Sequence, residues 1–238
     1  MPGTRRQLRV AARMIAIGGG VVAAAYAGSA GITWWRYGAP PRPDRDAADP
    51  LLDRFMPAYE VVERHHIGVE APAAITLAAA REQDLFGSPA IRTIFKAREL
   101  ALGATSDHEP RPRALLPQML SLGWGVLGET PGREIVVGAV TKPWQANVVF
   151  RALPPEAFAA FSEPEHVKIV WSLRADPDGA NHSIFRTETR AVATDTMSRA
   201  KFRRYWAFVS PGVAMIRLLS LRPLKADAER RARAASSQ

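Results

Sequence analysis

The first residues to test for chemistry are the five histidines, since an unperturbed imidazole titrates near neutral pH. His65 and His66 are adjacent, so on a strand they leave opposite faces. His108, His166 and His182 fall in segments that read as loops or strand ends. No His-Glu-x-x-His or comparable ligand spacing is present and cysteine is absent, so no metal or other cofactor is expected. Glu63 and His65 share a strand face, at the spacing of an acid–base pair and equally of a hydrogen-bonded surface pair. Arg186, Glu188 and Arg190 lie on one face of a long strand. If that face looks into an interior, Glu188 and Arg190 would orient a ligand's carboxylate or carbonyl. If it is solvated and paired across strands, then Phe185, Thr187, Thr189 and Ala191 on the other face would line the interior. Ser162 and Ser210 have no nucleophile-elbow context, and Gly18 to Gly20 with Gly28 and Gly31 lack the strand and the Lys-Ser/Thr of a phosphate loop. No catalytic residue is assigned.

Charge locates the partners. Most of the net charge of +9 sits at the two ends: +5 from Arg5, Arg6, Arg9, Arg13 and Arg36 before residue 39, and +3 after residue 221 from Arg222, Lys225, Arg230, Arg231 and Arg233 against Asp227 and Glu229. The stretch between is nearly neutral, without a basic patch interleaved with aromatics, so nucleic acid is not an expected partner. From Met14 to Trp35 there is no formal charge, a length that spans a hydrocarbon core of about 30 Å as a helix. Arginines precede it, and Trp34-Trp35-Arg36 closes it as an interfacial belt would. Residues 14–35 are therefore expected to anchor the chain in the cell membrane as a single pass, N-terminus cytoplasmic and domain extracytoplasmic. Two alternatives stay open: a cleaved signal ending at Ala25-Tyr26-Ala27 or Gly28-Ser29-Ala30, and a buried helix of the domain.

The chain divides into an anchor or signal segment over 1–37, a Pro-rich linker over 38–50, a domain over 51–225 and a polar tail over 226–238. Within the domain, alternation predicts a strand over 58–69. Helices follow over 71–83 and 88–102, the second capped by Ser88 with Pro89 at its first turn, and then a polar loop over 103–113. Strand-like runs cover 120–127, 134–138, 147–150, 167–174 and 182–194, with a short helix at 155–162. A last helix over 196–224, capped by Asp195 or Thr196, carries a stripe of Phe202, Tyr205, Trp206, Val209, Val213, Ile216 and Leu219, with Pro211 expected to kink it. Strand runs joined by short turns give an α+β fold, a curved antiparallel sheet closing on the terminal helix. Trp124, Trp144, Trp171, Phe202, Tyr205 and Trp206 are core aromatics in this reading, some of them placed to line an apolar hollow. Arg199, Lys201, Arg203 and Arg204 form a solvated helix face, or one turned to anionic lipid headgroups.

Over residues 55–225 this element order resembles the helix-grip superfamily (START-like, polyketide cyclase-like, SRPBCC). The strings Trp124-Gly125-Val126-Leu127-Gly128-Glu129, Gly132-Arg133-Glu134, Thr187-Glu188-Thr189-Arg190, Ser198-Arg199, Tyr205-Trp206 and Pro211-Gly212 look like a bacterial branch of it. The resemblance implies a deep apolar cavity that takes a lipid, polyketide or other hydrophobic molecule, and it supplies no universal catalytic motif. The expectation is membrane-tethered binding of a hydrophobic small molecule or lipid. Two readings stand beside it: a cyclase- or dehydrase-type enzyme, and an interaction domain whose cavity is filled by side chains.

Overall fold

A computed structural model describes residues 20, 24–41, 48–105 and 111–237. Of the uncharged stretch 14–35, residues 14–19 and 21–23 lie outside these, as does His108. Residues 24–36 are helical (α1). There follow α2 (Pro50–Asp53), β1 (Val61–Val69), α3 (Ala73–Glu82), α4 (Pro89–Leu102), α5 (Leu115–Ser121), β2 (Gly125–Thr130), β3 (Glu134–Thr141), β4 (Phe150–Arg151), α6 (Pro155–Ala160), β5 (Val167–Pro177), β6 (Ser183–Ala193) and α7 (Thr196–Ser236).

The six strands form one antiparallel sheet in the order β1-β6-β5-β3-β2, with β4 paired to β3. Both faces are covered, and for that reason every residue of β3 is buried. One face meets α3 and α7. Near the start of α7, Phe202 and Trp206 pack on Val61, Val167 and Ala191. Further along, Leu221, Leu224 and Ala228 join Val69, Leu77, Phe185, Leu173 and Trp171. The opposite face carries a second core, where Leu52, Phe55 and Met56 from the α2 segment and Phe158 from α6 cover Val136, Val140 and Val170.

Capping fixes α7 at its start: Asp195 accepts hydrogen bonds from the backbone N–H groups of Met197 and Ser198, at 2.8 and 2.9 Å. The helix then runs unbroken through Pro211 and Pro223 to Ser236, past the expected end at 224. The polar composition of 226–236 hides its anchors. Ala228 is fully buried, Arg231 pairs with Glu82 at 2.7 Å, and Lys225 pairs with Glu229 one turn on at 2.9 Å. The helix α1 lies against α7. The Trp34 carbonyl accepts from Arg203, whose guanidinium stands 4.2 Å from the Trp34 ring centroid, and Ser210 donates to Thr33 at 3.1 Å.

The strand expected over 120–127 begins only at Gly125. Apolar runs fit either period when short, and the segment expected to open a strand at Leu120 instead closes α5, burying Leu115 and Leu116. Gly123 then turns the chain into β2 with a φ of +96°, in the left-handed region that favours glycine. The expected strand over 147–150 is reduced to a two-residue pairing at Phe150–Arg151.

A methyl group at position 123 would collide with the Phe150 carbonyl oxygen as well as strain the backbone. Gly123→Ala is therefore expected to lose about 1–3 kcal/mol or more of stability, read as a lowered urea midpoint with unchanged slope.

Candidate ligand site

Strand alternation sorts the side chains of the sheet into two unlike sets. Glu63 lies opposite Thr189 and His65 opposite Thr187, and across the next pairing Thr189 faces Trp171 and Thr187 faces Leu173. These residues look toward α7. Arg64, Arg186, Glu188, Arg190, Ser172 and Arg174 look the other way.

On α7 the residues turned inward are Phe202, Trp206, Ser210, Val213, Arg217, Leu221, Leu224 and Ala228, at steps of three and four. Arg217 is the one charge in that series. Its guanidinium donates to the Thr189 hydroxyl at 2.8 Å and to the Thr187 hydroxyl at 3.3 Å, and its carbon stands 5.8 Å from the Trp171 ring centroid. It makes no ion pair with a carboxylate among the described residues. Desolvation pushes its pKa down to about 10, against the opposing pull of the Glu63 charge. It stays charged at neutral pH. Glu63 itself stands 3.5 Å from His65 Nε2, a buried nitrogen without a hydrogen-bond partner. The wall above the sheet thus holds a cation, two hydroxyls, an aromatic face and a carboxylate–imidazole pair.

The expected lining residues separate into groups. Trp171, Thr187 and Thr189 meet Arg217. Phe202 and Trp206 close one end of the interior and Phe185 belongs to the core at the other. Trp124 packs edge-on to Trp171 at 6.2 Å. Tyr205 turns to α4, where its hydroxyl accepts from Arg98 at 3.2 Å, and Trp144 sits in the β3–β4 connection beside Lys201. Glu188 and Arg190 do not face this interior. Arg190, 1% exposed, donates to Glu188 at 2.6 Å, to Asp53 at 2.5 Å and to the Met56 carbonyl at 2.8 Å, and Arg64 pairs with Glu188 at 2.9 Å. Their face is neither solvated nor part of the site by α7; the α2 segment covers it. Arg217 was not among the expected residues. Its signal was a lone cation at the inward spacing of an otherwise apolar or small series.

Two concavities open elsewhere. One, of about 430 Å³, runs between α3 and α5 over Leu77, Leu116 and Pro117. The other, of about 50 Å³, lies on the charged face beside Arg64, Arg174 and Glu188. Arg217 lines neither.

The charged face also holds a buried acid pair. Asp49 caps α2 and accepts from Ser172 at 3.1 Å. Burial, and then Asp49 beside it, push the Glu134 carboxyl up to about 8. Arg174 opposes that rise, while Asp176, paired with Arg174 at 2.7 Å, adds to it.

No family model and no curated protein matches the chain. Two solved structures are similar to it. CalU16 from Micromonospora echinospora is 10% identical, with 74% of this chain and 88% of that chain covered and a TM-score of 0.23. Zhui aromatase/cyclase from a Streptomyces species is 14% identical, with 73% and 96% covered and a TM-score of 0.25. At these scores neither structure bears on what this chain binds.

A carboxyl that holds its proton more tightly folded than unfolded favours folding at low pH and loses that share as pH rises. The Glu134 contribution is thus expected to fall between the ordinary carboxylate range and about pH 8. Glu134→Gln should leave the urea midpoint near that of the parent at pH 5 and raise it above the parent at pH 8.5. Parallel pH profiles for the two chains would remove the buried proton.

Proposed function

We propose that the chain binds a hydrophobic small molecule or lipid between α7 and the sheet, and that Arg217 holds the polar end of that molecule. One observation carries the reading: a desolvated guanidinium whose near partners are two neutral hydroxyls and an indole face. A buried cation is costly unless matched, and a ligand's carboxylate, phosphate or carbonyl would match it. The apolar ends of the interior would take the hydrophobic body, at about 25 cal/mol per Å² of apolar surface removed from water. Entry requires α7 to part from the sheet. Pro211 leaves the helix one backbone hydrogen bond short less than two turns before Arg217, which is where such a movement would cost least.

The same reading keeps the protein at a membrane. Residues 14–35 tether it as a single pass, N-terminus cytoplasmic and domain outside, close to a lipid source.

A second reading, a cyclase- or dehydrase-type enzyme, draws on the Glu63–His65 pair beside Arg217. It requires bound substrate to be transformed, and His65→Ala to abolish turnover while binding persists.

Native mass spectrometry of the detergent-extracted full chain is expected to show a co-purifying hydrophobic molecule. In titrations with a dansyl-labelled fatty acid, Arg217→Ala should weaken binding by about 10- to 100-fold, the worth of a charge-assisted hydrogen bond, and should hardly change binding of the matching alcohol. Absence of any bound molecule together with no saturable binding of acid or alcohol would sink the proposal and leave an interaction domain filled by its own side chains.

A further inference from the structure

The outward face of α7 is unlike its inward face, and unlike the surface of an ordinary soluble helix. Between Thr196 and Ala226 the helix has no acidic residue. Phe208, Met215, Leu218 and Leu219 are exposed on it, at 44, 49, 56 and 36%. Their spacing of seven, three and one keeps them on one side, opposite the stripe that carries Arg217. Arg204 lies one turn before Phe208 and Arg222 one turn after Leu218 on that same side. Both are exposed, and neither has a carboxylate partner among the described residues. The other cations of the region are engaged: Arg199 with Glu60 at 2.9 Å, Lys201 with Glu165 at 3.4 Å, and Arg203 with Trp34. The patch continues onto α1, whose Tyr26 ring meets Phe208 edge-on at 6.3 Å.

By length and composition α7 contains a stretch able to cross a bilayer, most of it uncovered. Crossing is incompatible with its inner face, which packs on the sheet at both ends. Lying flat satisfies both faces. An apolar strip bracketed by free cations, with no acid to repel phosphate, is the arrangement that settles at a headgroup boundary.

We propose that α7 docks lengthwise on an anionic phospholipid bilayer, with Phe208, Met215, Leu218 and Leu219 in the headgroup–acyl boundary and Arg204 and Arg222 against lipid phosphates. The docking is independent of whether a ligand occupies the interior.

Because the chain has no cysteine, a single introduced one can carry an environment-sensitive dye. The full chain with Met215→Cys or Leu218→Cys, and Gly179→Cys as control, is reconstituted in vesicles of phosphatidylcholine with phosphatidylglycerol. Labels at 215 and 218 should shift to the blue, resist aqueous iodide and lose most of their intensity to a lipid-borne quencher, while the label at 179 stays open to iodide. Adding Arg204→Glu and Arg222→Glu to the Leu218→Cys chain should reverse the shift. Iodide access at 215 and 218 equal to that at 179 overturns the docking. Shielding that vanishes on diluting the protein in the bilayer, without lipid quenching, assigns the face to a second copy and likewise overturns it. Shielding that is equal in pure phosphatidylcholine and untouched by the charge reversals overturns the role given to Arg204 and Arg222.

Discussion

The register of β6 against β1 and β5 is the constraint on which both faces depend. With Thr187 opposite His65 and Leu173, the hydroxyls meet Arg217, while on the other face Arg190 reaches Asp53 and the Met56 carbonyl, Glu188 pairs with Arg64 and Arg190, and Arg186 pairs with Asp176. A slip by one residue would exchange the two sets. It would put Arg190 among Phe202 and Trp206, and it would leave Asp53 and Arg64 without Glu188 and Arg190. The buried ions on the charged face therefore specify register even where each pair adds little net stability, because an unpaired buried charge costs far more than a paired one gains.

That register makes α7 a helix with two jobs along one stripe. At its ends the contacts are apolar and close, through Phe202 and Trp206 on one side and Leu221, Leu224 and Ala228 on the other. In the middle the contact is polar, and Arg217 reaches two strands of the sheet, β6 through its hydroxyls and β5 through Trp171. A polar group within an otherwise apolar contact is where the polar end of a ligand would find a match, the arrangement the binding proposal needs.

The sequence made the strands β1, β3, β5 and β6, the helices α3 and α4, and the Asp195 cap legible, because alternation, Ser88-Pro89 and an acid before an apolar stripe each act locally. It did not make α5 legible, since a short apolar run satisfies either period. The end of α7 was missed because the partners of its last turns, Glu82 for Arg231 and the Glu70 N–H for Glu229, lie 149 and 159 positions away, and composition alone reads 226–236 as solvated. At the site, Thr187, Thr189 and Trp171 could be placed on one face by counting alternate residues. The partner could not: choosing the stripe by hydrophobicity drew it through Tyr205, Val209 and Leu219, rotated away from the true inner face, and so passed over Arg217. Glu188 and Arg190 fit an interior by strand parity alone, but the α2 segment that covers them lies over 130 residues upstream of both.

With no carboxylate between Thr196 and Ala226, the counter-charges for those residues come from outside that stretch of α7. Where the helix passes the rim of the sheet, Glu60 and Glu165 supply it, and Arg199 and Lys201 are matched. Lys225 takes Glu229 one turn on, Arg203 takes the Trp34 carbonyl, and the cations left over among the described residues, Arg217 inside and Arg204 and Arg222 outside, separate by helix face alone. A guanidinium in water needs no partner, so the outer pair gains significance only from the apolar strip they bracket. The inner one needs a partner wherever desolvation is strong, and the hydroxyls of Thr187 and Thr189 satisfy its hydrogen bonds without satisfying its charge. The two proposed anion acceptors, one enclosed and one planar, both rest on the same acid-free stretch of helix.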